Sequence, residues 1–176
     1  RQVQMAITLD PFNSMAHNLL GYINEHKFNR VDQAEQEYRK ALELNSLNTR
    51  ALVNLGLLLE KHGRDKAESE ALFRKAIESD GDDWEAHLSL GHLLYATSGK
   101  LAEAEKEIRR AIELAPANAR IHSELGNILA LDKKRLEESE VELKKGIELG
   151  ADKGTPHYLF ANFLLNQRGR IDEAER

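Results

Sequence analysis

Cysteine is absent from the 176-residue chain, and proline occurs only three times. Without thiols the chain cannot form a disulfide, a thiolate zinc site or a cysteine nucleophile. A cysteine-free protein fits a reducing compartment, so we expect an intracellular, cytoplasmic location. The scarcity of proline, and the lack of any Gly/Ser-rich linker, predict one continuous array over residues 1–176.

Long apolar runs and excess positive charge are missing as well. No stretch approaches the roughly 18–20 uninterrupted apolar residues of a membrane-spanning helix, so membrane insertion is not expected. The 25 Lys and Arg residues are outnumbered by 30 Asp and Glu residues, which gives a formal net charge of -5. This balance disfavours nucleic acid as a partner, because a phosphate backbone attracts a basic face.

Catalytic motifs are also lacking. The sequence has no G-x-S-x-G, no phosphate-cradling glycine loop and no H-E-x-x-H. Acidic residues such as Glu103, Glu105 and Glu107 lie beside Lys and Arg, which predicts a solvated helix surface with ion pairs at three- and four-residue spacing. The sequence therefore predicts neither an enzyme nor a cofactor site.

What the sequence does contain is an internal repeat of 35 residues, the kind of feature that decides a fold. The glycines at one repeat position are Gly21, Gly56, Gly91 and Gly126, and the next step reaches Ala161. The residues before them are Leu20, Leu55, Leu90, Leu125 and Phe160. Further columns keep the same register, namely Ala34, Ser69, Ala104, Ser139, Ala174 and Tyr38, Phe73, Ile108, Leu143.

Each repeat contains two helical patterns. Leu52, Leu55 and Leu59 share one face of the first helix at spacings of three and four residues. Residues that can cap the first helix recur just before it, at Asn13, Asn48, Asp83 and Asn118. We expect an all-α, right-handed α-solenoid of stacked antiparallel helix hairpins. The predicted boundaries are a partial hairpin over 1–11, hairpins over 12–46, 47–81, 82–116 and 117–151, and a partial hairpin over 152–176.

The motif Leu55-Gly56, followed by Ser69, Phe73 and Ala76, resembles the tetratricopeptide repeat (TPR). The run Leu90-Gly91, Ala104, Ala111 and Pro116 resembles it too, and the resemblance covers essentially the whole chain. It implies that the first helices line an inner, concave face and that the second helices lie outside. It also implies a protein or peptide partner.

A 35-residue period is similar to that of the pentatricopeptide family as well, whose members bind single-stranded RNA one base per repeat. The Leu-Gly pair and the small Ala/Ser columns follow the tetratricopeptide pattern instead. The acidic charge balance favours the same choice. RNA binding is therefore the disfavoured alternative.

The exposed stripe of the first helices contains the candidate binding residues, because it lies opposite the packed leucines. These candidates are Tyr22, Arg50, Val53, Leu57, Leu88, His92, Tyr95, Arg120, Asn127, Tyr158 and Asn162. Apolar anchors beside a few donors suit a peptide segment that carries a carboxylate or polar backbone groups. The alternative is that Val53, Leu57 and Leu88 pack against neighbouring first helices.

A histidine column invites comparison with a metal site. It runs through His17, Leu52, His87, His122 and His157, where an aromatic residue is usual in the family. Zinc needs ring nitrogens about 2.0–2.1 Å away, whereas neighbouring helices lie about 8–10 Å apart. We expect no Asp or Glu beside the column, and therefore packed histidines and no metal.

Two functions remain open on the sequence. The first is a protein-interaction module that binds a partner peptide or helix in the concave groove. The second is a structural spacer or self-assembling scaffold that acts through its outer face. Capping elements are expected at the ends of a free-standing array. Neither end shows one, so we expect a segment of a longer array that could self-associate through uncapped ends.

Overall fold

The computed structural model describes residues 2–97, 99–150 and 154–166. The described residues form ten α-helices and one short 3-10 turn, and they contain no strand. The helices are α1 Gln2–Leu9, α2 Ser14–Phe28, α3 Val31–Leu44, α4 Thr49–Lys61, α5 Lys66–Ser79, α6 Trp84–Tyr95, α7 Leu101–Leu114, α8 Ala119–Leu129, α9 Leu136–Leu149 and α10 Gly154–Asn166. The predicted all-α class of stacked helix hairpins is confirmed.

The chain divides into two compact units, residues 1–93 and 94–176, and the division falls inside α6. In the first unit α2 packs on α3, and α4 packs on α5. In the second unit α8 packs on α9 in the same way. These three hairpins lie within the predicted boundaries 12–46, 47–81 and 117–151. A single array over 1–176 stays a prediction.

The repeated asparagines cap the first helices, as the sequence predicts. The side-chain oxygen of Asn13 accepts a hydrogen bond from the Ala16 N–H, and that of Asn48 accepts one from the Ala51 N–H. A side-chain oxygen at this position satisfies a backbone donor that has no partner within the helix. Asn118 caps α8 through the N–H of Arg120.

The glycine column marks the places where the two helices of a hairpin approach most closely. A Cβ added to Gly56 would lie 2.5 Å from Phe73 Cε1, and one added to Gly126 would lie 2.5 Å from Leu143 Cγ. Both distances are far below van der Waals contact. The side chain of the second helix therefore occupies the space that glycine leaves open, and hairpin packing depends on this exchange of volume.

Apolar residues from consecutive hairpins fill the core of each unit. In the first unit Ala34 and Tyr38 of α3 form a buried cluster with Leu55, Leu58 and Leu59 of α4. In the second unit Leu143 of α9 packs with Phe163 and Leu164 of α10. These contacts join one hairpin to the next, which is how a repeat array buries faces that a single hairpin would expose.

The histidine column has acidic partners, so the expectation that none lies beside it is wrong. His17 Nδ1 lies 2.7 Å from Glu37 Oε2, while its Nε2 lies 3.1 Å from the Pro11 carbonyl oxygen. His122 Nδ1 lies 2.6 Å from Glu142 Oε2, and its Nε2 lies 2.9 Å from the Pro116 carbonyl oxygen. Each ring thus links the turn before a first helix to the second helix of the same hairpin.

Ion pairs cover the second helices, as predicted, and they also join consecutive hairpins. Arg39 pairs with Glu35 one turn away in α3, and it donates two hydrogen bonds to Glu68 of α5 at 2.7 and 3.0 Å. Arg109 of α7 likewise pairs with Glu105, and it reaches Glu138 of α9 at 2.6 Å. The arginine therefore has one partner in its own helix and one in the next hairpin.

Candidate binding groove

Three successive first helices of the first unit, α2, α4 and the start of α6, surround a pocket of about 250 Å³. It is lined by Asn18, Leu19, Tyr22, Arg50, Val53, Asn54, Asp83 and Glu85. Three of the predicted binding residues, Tyr22, Arg50 and Val53, meet here. The pocket therefore lies on the stripe that the repeat pattern singles out.

An amide pair spans the pocket between its two longer helices. Asn54 Nδ2 of α4 donates a hydrogen bond to Asn18 Oδ1 of α2 at 3.0 Å. Each amide has a further hydrogen-bonding group, the side-chain NH₂ donor of Asn18 and the side-chain oxygen acceptor of Asn54. A peptide backbone offers the complementary carbonyl and N–H groups, so the pair can bind an extended segment.

The apolar candidates divide into buried and exposed residues. Val53 and Leu88 are each only 3% exposed, so neither side chain is an exposed anchor for a ligand. Val53 belongs to a core cluster with Leu52, Ala76 and Ala86, and it forms the floor of the pocket. Leu57 is 37% exposed and Tyr22 is 47% exposed, so both can contact a ligand.

The aromatic wall of the pocket is held by a neighbouring ring. Tyr22 stacks on His26 with ring centroids 4.2 Å apart and an interplanar angle of 19°.

A buried hydrogen bond joins α2 to α3 beneath this stack. The Tyr38 hydroxyl of α3 donates to the buried Glu25 carboxylate of α2 at 3.1 Å. Burial and the Glu25 charge raise the pKa of Tyr38 well above its ordinary value, so the phenol keeps its proton. Lys61 Nζ lies 3.3 Å from the other oxygen of Glu25.

The predicted donors are accompanied by carboxylates. Arg50 shares the pocket with Asp83 and Glu85. His92 does not line the pocket, and its Nδ1 lies 2.9 Å from Glu60 Oε1. The carboxylate ligand expected from the donors alone would therefore meet negative charge in the first unit.

The remaining candidates lie in the second unit. Tyr95 is half-buried at the end of α6. On α8, Arg120 is exposed with its Nε 4.0 Å from Glu124 Oε1, and Asn127 is half-buried. On α10, Tyr158 is exposed and Asn162 is half-buried. Their part in binding stays a prediction.

Five lining residues were not among the predicted binding residues, namely Asn18, Leu19, Asn54, Asp83 and Glu85. On the sequence alone, Asp83 is assigned only to helix capping. Its Oδ1 does accept the Ala86 N–H at 3.0 Å. The missed signal is in the repeat columns. Asp83 is the acidic member of a column that otherwise reads Asn13, Asn48, Asn118 and Lys153. Glu85 stands where two other repeats have Arg50 and Arg120.

Metal binding and membrane crossing find no support in the part of the chain that the structure describes. Within it, no three His, Asp or Glu side chains come together as metal ligands would. None of the described helices combines the length and the apolar character needed to cross a membrane.

Comparison with known proteins identifies the repeat. Two family models, each described as a tetratricopeptide repeat, match residues 26–83 and 64–128, which together are more than half of the chain. A search of curated protein sequences gives no match. Among solved structures, PilW, a widely conserved type IV pilus biogenesis factor, gives a TM-score of 0.81 at 23% identity, over 98% of this chain and 80% of that chain.

Two further solved structures, both of TPR proteins, are similar to this chain. A thermophilic TPR protein of Thermus thermophilus gives a TM-score of 0.77 at 22% identity, over 92% of this chain and 86% of that chain. YrrB, a TPR protein with an unusual peptide-binding site, gives 0.74 at 19% identity, over 99% of this chain and 89% of that chain. At these identities the likeness concerns the fold. With its repeat columns, helix hairpins and family matches, the chain belongs to the tetratricopeptide-repeat family, a family of protein-interaction modules.

Proposed function

We propose that the first unit binds an extended segment of a partner protein in the pocket formed by α2, α4 and α6. The observation that carries the proposal is the meeting of Tyr22, Arg50 and Val53 with an amide pair in one cavity. Exposed aromatic and aliphatic side chains supply most of the binding energy of such sites, and a few polar groups fix the register.

The geometry favours a defined mode of binding. Asn18 and Asn54 would hydrogen-bond the partner backbone, while Leu19 and Tyr22 contact an apolar side chain. Both of these apolar residues are 47% exposed, so a ligand gains by covering them. The description of YrrB as a TPR protein with an unusual peptide-binding site is consistent with this use of the fold.

Site-specific photo-crosslinking tests the proposal. A benzophenone amino acid would replace Tyr22 in one variant and Lys40, an exposed residue of α3, in a matched control. Both variants would be irradiated in extract of the source cells after circular dichroism confirms that they are helical. Adducts at position 22 that are lost in a groove variant, which combines Leu19→Ser with Asn54→Ala in the lining of the pocket, support the proposal.

The second function, a spacer or scaffold that acts through the outer face, predicts the opposite result. Adducts would then form at position 40 and persist in the groove variant. Light scattering on the wild-type chain would separate self-association through the ends from partner binding. Mass that rises with concentration in both the wild type and the groove variant would favour the scaffold.

A further inference from the structure

The pocket in the first unit carries negative charge that capping does not require. Three other repeats have Asn13, Asn48 and Asn118 at the equivalent position, and all three cap their helices through a side-chain oxygen. The last repeat has Lys153 there. Asp83 makes the same bond to the Ala86 N–H. Because asparagine and aspartate cap about equally well, capping alone does not explain the extra charge at this position.

Glu85 departs from its column in the same direction. Its equivalents are Met15, Arg50, Arg120 and Thr155, so it is the acidic residue in a series that otherwise has none. An acidic residue in the first turn stabilises a helix through the helix dipole. The helices α2, α4 and α8 have no acid there, which shows that first helices of this chain form without one.

Both departures fall in one pocket. Asp83 and Glu85 line it together with Arg50, so the lining carries two carboxylates against one guanidinium. Lys61 of α4 does not line the pocket, and its Nζ lies 3.3 Å from Glu25 Oε1. A ligand that brings a positive charge would therefore restore neutrality in the pocket.

We propose that this pocket selects a partner segment with a lysine or arginine next to an apolar residue. The aliphatic stem would cover Leu19 and Tyr22, and the charged end would reach Asp83 and Glu85. Long basic side chains can bury the stem and keep the head group at a polar edge. The proposal rests on the proposed function, and it gives the groove a preference opposite to the carboxylate expected from the donors alone.

An array of random hexapeptides, probed with the labelled 176-residue chain at low ionic strength, tests this specificity. The variant Asp83→Asn with Glu85→Gln removes both charges and keeps a capping side chain at position 83. The matched control is Glu43→Gln with Glu78→Gln, which removes two exposed charges from the second helices α3 and α5. The two variants change the net charge equally, so only the location of the change differs.

We expect lysine and arginine to be enriched among the peptides that bind the wild type and the outer-face control. The pocket variant should lose that enrichment, and a titration with the best peptide should show binding weaker by about fivefold or more. Replacing the lysine of that peptide with glutamine should weaken binding to the wild type by a similar factor. The same replacement should change binding to the pocket variant only slightly.

Other outcomes overturn the inference in distinguishable ways. If peptides bind with no preference for basic residues, or with a preference for acidic ones, the proposed peptide binding is supported and the charge selectivity is refuted. Enrichment that survives in the pocket variant would place the selectivity elsewhere. An array that retains no peptide on any folded variant would refute the proposed function itself, and the inference with it.

Discussion

His122 and Glu142, twenty residues apart in the sequence, lie 2.6 Å apart between α8 and α9. The ring is 1% exposed, and its second nitrogen faces the Pro116 carbonyl. The hairpin of α4 and α5 has an apolar pair instead of a histidine and a glutamate. Leu52 and Leu72 stand at the equivalent positions and pack in one apolar cluster. The two pairs are therefore alternative ways to close a hairpin.

The replacement His122→Leu should destabilise the chain by about 1–3 kcal/mol, because it leaves the Pro116 carbonyl and Glu142 without the ring that binds them. Adding Glu142→Leu should recover most of that loss, since the double variant copies the natural leucine pair. Urea unfolding of the wild type, both single variants and the double variant gives the coupling energy. Additive effects of the two changes would contradict the pairing.

The variant Gly126→Ala should cost about 1–3 kcal/mol, because its new methyl group would overlap Leu143 and approach the Ser139 carbonyl at 3.1 Å. Gly154→Ala is the matched control, since this glycine begins a helix and has nothing within 4 Å of an added Cβ. The control should be neutral or slightly stabilising. Thermal unfolding followed by far-ultraviolet circular dichroism compares the two, and equal melting temperatures would refute close packing at Gly126.

The two capping residues Asn48 and Asn118 should respond differently to alanine. Asn118 makes one capping bond, so Asn118→Ala should cost about 1 kcal/mol. Asn48 also donates from Nδ2 to Ser14 Oγ at 2.7 Å, and that hydroxyl donates to the Ala41 carbonyl. Asn48→Ala should therefore cost about 2 kcal/mol, and chemical denaturation of both variants in one buffer measures the difference. A larger loss at position 118 would show that the link to Ser14 contributes little.

Acid should weaken the outer ion pairs of the second unit. Hydrogen bonds from Arg135 and Arg109 lower the pKa of Glu105 below its ordinary value, and the pKa of Glu138 is lowered by the same two residues. A carboxyl whose folded pKa is depressed stabilises the fold above its unfolded pKa and loses that effect as the pH falls through the folded value. The contribution is therefore complete near pH 7 and declines below about pH 4.3.

The variant Arg135→Gln tests this dependence, with Lys134→Gln as a neighbour of equal charge change on an exposed side chain. The difference in unfolding free energy between wild type and Arg135→Gln should shrink from neutral pH to about pH 3. The Lys134→Gln difference should stay small throughout. A constant difference for Arg135→Gln would show that its ion pairs do not contribute to stability.

The sequence predicted those features that depend on one position and its repeat. The glycine column indicated the crossing points, and Asn13, Asn48 and Asn118 indicated the helix starts, because backbone sterics and capping act locally. The sequence did not reveal that His17 and Glu37 touch, although Glu recurs at two of the three equivalent positions, 107 and 142. That contact depends on the angle between two helices, which spacing within one helix does not report.

The candidate pocket shows the same limit. The helical periodicity predicts that Val53 and Leu88 face away from the second helix of their own hairpin. It does not show whether these side chains contact solvent or a neighbouring first helix. Both are buried, and Val53 packs with Ala86 of α6, a contact between two first helices. The acidic character of the pocket was visible in the columns at 83 and 85, yet it gained meaning only when the two residues were found beside Arg50 in one cavity.

The arginine that bridges consecutive hairpins has a consequence for how such a chain changes length. Arg39 finds Glu35 four residues earlier and Glu68 twenty-nine residues later, and Arg109 finds Glu105 and Glu138 at the same intervals. A duplicated 35-residue segment would therefore bring a matching acid for the segment before it and a matching arginine for the segment after it. Duplication or deletion of whole 35-residue segments would therefore preserve this ion pairing at the new junctions.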